Sequence, residues 1–467
     1  MGTPYNQGST SLVKDLKVTI QDSTLIFCPQ EIEKKSMFLS SIDQVLNFDV
    51  QTLHFFTKNP SYPPKEVFKM IKSALEKLLV PYFFLGGRIK TNSETGRLEI
   101  ECKNGGIGFV EASSECTLDE LGDLVYPNPS FEQLVTKKMS FENVDDHPLC
   151  IVQMTAFKCG GFAMGLQTNH ITFDGISTKY FLQNLAALSA DKPLAIIPCN
   201  QRELLAARSP PRVTFPHPEL VDLKIPIGQD DGGESHEQNP NIFYNYSQPL
   251  DLNIFSLSSD HILNLKAKAK NDNDNDNDND NENDNKVTGF NVISGLVWRC
   301  KALSCNNNKE DSKDRLSTIL FAIDIRSKLN PPLPPSYTGN AVLTAYATAS
   351  CKELEEASLS RLVELVSEGV SRMTDEYARS AIDWGELYKG FPKGEFLLSS
   401  WWKLGFNLVE YSWGKPKYSC PLVYHRKDII LLFPHIDESK GGVNVLVALP
   451  HDEMLKFQAL FHNFLAN

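Results

Sequence analysis

Seven prolines fall between Pro198 and Pro240, and no other feature constrains the fold of this chain as strongly. Proline removes a backbone donor and fixes φ, so at this density neither helices nor central strands persist. Gly232-Gly233 adds a further break near the end of the stretch. A chain of 467 residues exceeds what a single core organises. The division expected is therefore an N-terminal domain over 1–197, a crossover over 198–240 and a C-terminal domain over 241–467.

The first part alternates strand-like and helix-like segments. Val67–Leu79 carries apolar residues at helical spacing and reads as an amphipathic helix; Arg97–Glu101 beyond Leu85-Gly86-Gly87-Arg88 reads as a strand. Gly161–Gln167 reads as a strand, and Ser177–Leu188 recovers helical spacing through Phe181, Leu182, Leu185 and Leu188. His170–Gly175 is thus placed at a strand-to-helix junction, where side chains project from a sheet end. In the second part, Ile254–Ala269 reads as a helix. The tract Asn271–Asn285 follows, alternating Asn with seven carboxylates from Asp272 to Asp284. It offers nothing to bury and repels itself, so a disordered surface loop is expected. It lacks the glycine turn and spaced glutamate of a calcium loop.

Charge and cysteine usage exclude several function classes. The formal net charge is −12, which disfavours nucleic acid as a partner. The ten cysteines are scattered from Cys28 to Cys420 without a Cys-x-x-Cys pair, so no zinc site is expected and free buried thiols are the preferred reading. No uninterrupted apolar stretch reaches bilayer length. Met1-Gly2-Thr3-Pro4-Tyr5-Asn6 matches neither a secretory nor a myristoylation signal. The location expected is the cytoplasm.

Two clusters could carry chemistry. In His170-Ile171-Thr172-Phe173-Asp174-Gly175, imidazole titrates near neutrality and can take and return a proton. Asp174 could orient the ring or anchor the turn. About one His-x-x-x-Asp is expected by chance in such a chain, so a capped loop holding a satisfied histidine reads equally well from these residues alone. Glu410-Tyr411-Ser412-Trp413-Gly414-Lys415-Pro416 reads alone as a packed aromatic turn.

Taken together, these segments resemble the BAHD acyltransferases, the plant family that moves acyl groups from coenzyme A to alcohols and amines. His170–Asp174 matches the family's HxxxD motif, and Glu410–Gly414 falls where it carries DFGWG. Leu39–Asp43, Leu85–Arg88, Asp324–Arg326 with Leu329–Pro332, and Tyr337–Asn340 resemble further family blocks, in family order. The departures are Glu410 for Asp, Tyr411 for Phe and Ser412 for Gly. Ser412 would be strained if its position demands a positive φ.

The resemblance implies an α/β, two-domain chloramphenicol acetyltransferase-like fold with mixed sheets and a solvent channel between the domains. It implies His170 as general base and a ternary complex of acyl-CoA and acceptor, with no metal and no permanently bound cofactor. Asp174 is then a structural residue with Arg326 as its candidate partner. Glu410, Trp413 and Gly414 are structural support remote from the transferred group, and Glu410 could keep a salt bridge with one extra methylene of reach. Trp401 falls at an acceptor-pocket aromatic and is otherwise a plain core residue. Members using shikimate or quinate grip the carboxylate with an arginine near the stretch Ile382–Leu387, where this chain offers Glu386. The N-terminal wording and Arg208–Pro218 resemble the branch of hydroxycinnamoyl transferases to ω-hydroxy fatty acids, fatty alcohols and monolignols. A monomeric O-acyltransferase of plant specialised metabolism is expected, with acyl-CoA as donor and a long-chain or phenylpropanoid alcohol as acceptor. Transfer to an amine and a non-catalytic accessory role are the alternatives.

Overall fold

Strand Phe162–Asn169 buries all eight of its residues, so the sheet around it must be covered on both faces. The computed structural model describes residues 13–125, 128–139, 146–222, 249–271, 287–305, 314–388, 390–422, 426–436 and 441–466. In it, Phe162–Asn169 is an inner strand of a six-stranded sheet. The spatial order is Val18–Ile26, Ile107–Ser114, Cys150–Phe157, Phe162–Asn169, Asp49–Phe56 and Tyr418–Pro421. Neighbours run antiparallel except Ile107–Ser114 beside Cys150–Phe157.

Period-two alternation decides what each face meets. Phe162, Met164 and Leu166 join the cluster formed with helices Pro64–Leu78 and Gly175–Ser189. The first of these helices opens on proline and buries Val67, Phe68, Ile71, Ala74, Leu75 and Leu78, one stripe at helical spacing. On the opposite face, Ala163, Leu53 and Phe55 join a different cluster. Gly165 also lies on that side, where a Cβ would come within 2.1 Å of the Leu134 carbonyl oxygen.

A second six-stranded sheet has the order Asp251–Leu257, Val443–Leu449, Ile429–Pro434, Phe396–Ser400, Leu316–Asp324 and Val342–Ser350. Helices Gly289–Ser304, Leu359–Arg372 and His451–Ala466 contribute to its core. The stretch Ile254–Ala269, expected to be one helix, is divided. Asp251–Leu257 is a strand paired with Val443–Leu449, and the helix begins at Ser259. Ile254 faces one cluster while Phe255 and Leu257 face another, a two-residue period that short apolar runs leave ambiguous. Ser258 Oγ accepts from the His261 N–H at 3.2 Å, satisfying a first-turn donor.

Chain order and packing do not coincide. Phe406, Val409, Tyr411 and Trp413 bury in the core of the first sheet, and Tyr418–Pro421 is an edge strand of that sheet, paired with Asp49–Phe56. The aromatic side chains of this segment find their apolar partners beside Phe56 and Phe162. The two bodies meet along one apolar seam that gathers Leu53, Phe55, Tyr418 and Cys420 with Ile254, Leu431, Phe433 and Leu446. The described part of the crossover is strapped to helix Asp375–Tyr388. Arg208 reaches Asp383 at 2.6 Å and Glu376 at 2.9 Å, and His217 Nε2 lies 2.8 Å from Ser380 Oγ. Residues 223–240 of the crossover and all of the acidic repeat after Asn271 lie outside the described residues. All ten cysteines are unpaired. No described helix is long and apolar enough to cross a membrane.

Candidate active site

His170 stands one residue past the end of strand Phe162–Asn169. Its N–H donates to the Phe48 carbonyl at 2.8 Å, extending the pairing of Asn169 with Asp49. The chain then turns sharply. Asn169 Oδ1 accepts from the Ile171 N–H at 3.1 Å, and Thr172 Oγ1 donates to the Asn169 carbonyl at 2.6 Å. Asp174 caps the following helix by accepting from the Ser177 N–H at 2.8 Å, the ordinary task of an aspartate at that position.

The tautomer of His170 follows from its neighbours. Asn340 Nδ2 donates to the Asp43 carboxylate and to the His170 carbonyl, each at 2.8 Å. Both acceptors require the amide nitrogen, so Oδ1 is the atom left facing His170 Nδ1, 3.1 Å away. Nδ1 therefore carries the proton and donates it, and Nε2 keeps a free lone pair. Nε2 bonds to no described residue, while the Phe48 ring meets the imidazole edge-on at 5.2 Å. Burial holds the His170 pKa below the ordinary histidine value, against opposing effects of its own backbone, Asp174, Asn340 and Asp43. The neutral imidazole is thus the resting form at neutral pH.

Two buried ion pairs hold this arrangement. Asp43 accepts from the Ser40 N–H and Oγ, both at 2.9 Å, and from Asn340. Arg202 approaches Asp43 at 3.4 Å and donates to the Thr172 carbonyl at 2.7 Å. Gly339, at φ +140°, lets Asn340 approach; a Cβ there would fall 2.6 Å from Arg202 Nη1. Asp174 faces the other way. Its Oδ2 lies 2.9 Å from Arg326 Nη1 and accepts from the Ala341 N–H at 3.0 Å, while its Oδ1 accepts from Arg326 Nη2 at 3.1 Å. Arg326 Nη2 also reaches Ser177 Oγ at 3.0 Å. Asp174 and Arg326 therefore tie the loop before helix Gly175–Ser189 to the segment that delivers Asn340.

The other expected site residues lie elsewhere. Trp401 donates its N–H to the Leu432 carbonyl and sets its ring edge-on to Phe406 at 5.4 Å, joining the first core to the seam. It opens a turn closed by the Leu404 N–H at 3.2 Å. Leu404 lies against Gly175, where a Cβ would meet its Cδ1 at 2.6 Å. Trp413 packs against Tyr411 at 4.9 Å and against Phe56 and Phe162, both at 6.2 Å. Gly414 takes φ +115° and closes the turn with Tyr411. In this turn the condition for strain at Ser412 is not met, and the salt bridge open to Glu410 is not made with a described residue. Ser412 does not occupy the left-handed region, because Gly414 alone carries the turn's positive φ. Glu410 is exposed and forms no ion pair with a described residue; at the surface, water solvates its charge and no cation is needed.

Asp43, Asn340 and Arg202 were given no role by sequence reasoning. The signal was available in the blocks Leu39–Asp43 and Tyr337–Asn340, whose polar residues end up buried around His170.

A family model described as the Transferase family matches residues 16–463. Acyltransferase GLAUCE of Arabidopsis thaliana is 57% identical over 468 residues, covering 100% of both chains. Two further Arabidopsis thaliana proteins are each 32% identical. Omega-hydroxypalmitate O-feruloyl transferase aligns over 96% of this chain and 93% of its own length; fatty alcohol:caffeoyl-CoA acyltransferase aligns over 96% and 98%. Among solved structures, vinorine synthase superposes with a TM-score of 0.71 at 22% identity, over 95% of this chain and 98% of that one; this likeness concerns the fold.

Proposed function

Since the chain belongs to the Transferase family of BAHD acyltransferases, enzymes that take acyl-CoA as co-substrate, we propose that it acylates the hydroxyl of a long-chain or phenylpropanoid alcohol with His170 Nε2 as the base. The two sheet-bearing bodies are those of the two-domain chloramphenicol acetyltransferase-like fold. The observation that carries the reading is the tautomer that Asn340 fixes, with its lone pair on an Nε2 that bonds to no described residue.

The acceptor oxygen attacks the thioester carbonyl carbon as Nε2 takes its proton. A carbon–oxygen bond forms, and negative charge moves to the carbonyl oxygen. Charge develops on the imidazole at the same moment, and the Nδ1–H bond to Asn340 Oδ1 holds the ring in place. Collapse of the intermediate breaks the carbon–sulfur bond. The departing thiolate takes the proton from Nε2, giving the ester, free coenzyme A and a neutral His170. Asp174 and Arg326 act at one remove, by holding the segments that carry His170 and Asn340.

Names of relatives at 32% identity support the acceptor class, since one acts on ω-hydroxypalmitate and another on a fatty alcohol. Glu386 supports it as well. It is engaged by Arg97, which also donates to the Leu39 carbonyl at 2.7 Å, so this stretch presents no cation to a shikimate-like carboxylate.

The test is purified protein incubated with a panel of acyl-CoA thioesters and mixed alcohols and amines, read by mass spectrometry. Ester formation that falls by roughly 10²–10⁴-fold or more in a folded His170→Ala variant is expected. Undiminished turnover in that variant would sink the mechanism, and amide products would redirect the acceptor assignment.

A further inference from the structure

Where the seam between the two bodies reaches the surface there is a cavity of about 170 Å³. Asn407, Lys415, Lys417 and Ser419 line it from the first body, and Pro434 and His435 from the second. Lys415 and Lys417 are exposed and form no ion pair with a described residue. In a chain of net charge −12, two like cations on one cavity with no carboxylate among its described lining residues stand out. A bound anion relieves their mutual repulsion. Pro416 and Pro434 stiffen the walls and bring no N–H of their own. Lys417 is positioned by the fold, because its N–H donates to the Phe55 carbonyl at 2.7 Å. Ser419 is positioned too, by a 2.8 Å bond to His54 Nδ1.

The cavity stands at a definite remove from the reacting atom. The backbone of His170 bonds to Phe48, and that of Lys417 bonds to Phe55, farther along the same chain segment. Strand rise places the two points about 23 Å apart. Acyl-CoA carries its negative charge far from the atom that reacts, and so does one acceptor of the proposed class, an ω-hydroxy fatty acid. In acyl-CoA the phosphates lie beyond the pantetheine arm; in an ω-hydroxy fatty acid the carboxylate lies beyond the hydrocarbon chain. We propose that the Lys415–Lys417–His435 cavity binds the distal anionic group of a long, flexible co-substrate, a phosphate or a carboxylate, while its other end reacts at His170. The size of the cavity suits one such group, not a whole molecule. This inference rests on the acyl-CoA-to-alcohol reading above.

The experiment compares the natural protein with the double variants Lys415→Glu/Lys417→Glu and Lys415→Arg/Lys417→Arg. Both side chains are exposed, so unchanged thermal melting is expected. Calorimetry with adenosine 3′,5′-bisphosphate probes the phosphate source, and palmitate against hexadecanol probes the carboxylate source. KM is measured in parallel for acyl-CoA, ω-hydroxypalmitate and hexadecanol. Charge reversal is expected to weaken one anionic probe and raise the matching KM about tenfold, with a smaller change in kcat and an effect that fades with salt. The arginine pair restores both. A rise confined to acyl-CoA assigns the phosphates, and one confined to ω-hydroxypalmitate assigns the carboxylate. Equal binding of both probes to the natural and charge-reversed proteins, or no binding of either to the natural protein, overturns the inference whether or not turnover is seen. Probe binding lost on charge reversal in a protein that transfers no acyl group supports the cavity and counts against the acyltransfer reading.

Discussion

Asn340 Oδ1 lies 3.1 Å from His170 Nδ1, and the two residues are 170 positions apart in the chain. The contact is possible only because Asn340 Nδ2 is held by Asp43 and by the His170 carbonyl. Replacing Asn340 with Ala should free the imidazole to turn and to carry its proton on either nitrogen. The expected outcome is a fall in kcat of roughly 10²-fold with little change in KM for acyl-CoA. Since this bond raises the His170 pKa, the acid limb of the rate profile should move further down. A profile that keeps its midpoint would show that Asn340 supports the fold and not the ring.

In the natural enzyme, that acid limb should already lie below the ordinary histidine value of about 6.5. Burial disfavours the imidazolium, so the base stays neutral until the pH falls below that point. Activity then rises with pH through the lowered pKa and levels off. Measuring kcat/KM from acid to neutral pH checks this. A limb centred above 6.5 would contradict the buried, neutral base.

His54 gives stability its own pH dependence. Burial pushes its pKa down to about 4, while the unfolded chain takes up that proton near 6.5. Between these values the unfolded state binds more protons, so stability rises with pH across about 4 to 6.5 and is flat above. The full span is worth about 3 kcal/mol. Urea titrations at several pH values should show this slope, and His54→Gln should remove most of it.

Asp174 and Arg326 are both buried and share two contacts. Arg326→Gln should cost about 3–5 kcal/mol, because it leaves Asp174 buried without its cation; Asp174→Asn should cost less, because Asp324 stays 2.9 Å from Arg326 Nη1. The double variant should be scarcely worse than Arg326→Gln alone. Additive losses in thermal or urea unfolding would show that the two side chains act independently.

Gly175→Ala should strain the start of its helix, since the new methyl group meets Leu404 Cδ1 at 2.6 Å. A loss of about 1–3 kcal/mol is expected. Shortening Leu404 to Ala in the same protein should recover part of it. An innocuous Gly175→Ala, judged by unfolding midpoint, would mean that the Trp401–Leu404 turn moves aside freely.

Much of the site was legible because it is local. A strand, a turn and a capped helix within Phe162–Ser189 show in side-chain periodicity, and His170 and Asp174 fall at the junction. What lies around them is assembled from a distance. Asp43, Arg202 and Asn340 meet only after three remote segments fold together, and no spacing encodes that. Ile254–Ala269 misled because a short apolar run fits a half-buried strand as well as a helix. At Glu410 the motif position left open a salt bridge that an exposed side chain does not need.

The placement of Tyr418–Pro421 beside Asp49–Phe56 has a consequence during synthesis. Chains fold as they emerge from the ribosome, amino end first. The first sheet must wait for nearly the whole polypeptide before its last strand arrives, and until then Asp49–Phe56 is an open edge that can pair with another nascent chain. A fragment ending within the proline-rich crossover keeps that edge open for good. Expressed alone, it would aggregate, however well its own helices form.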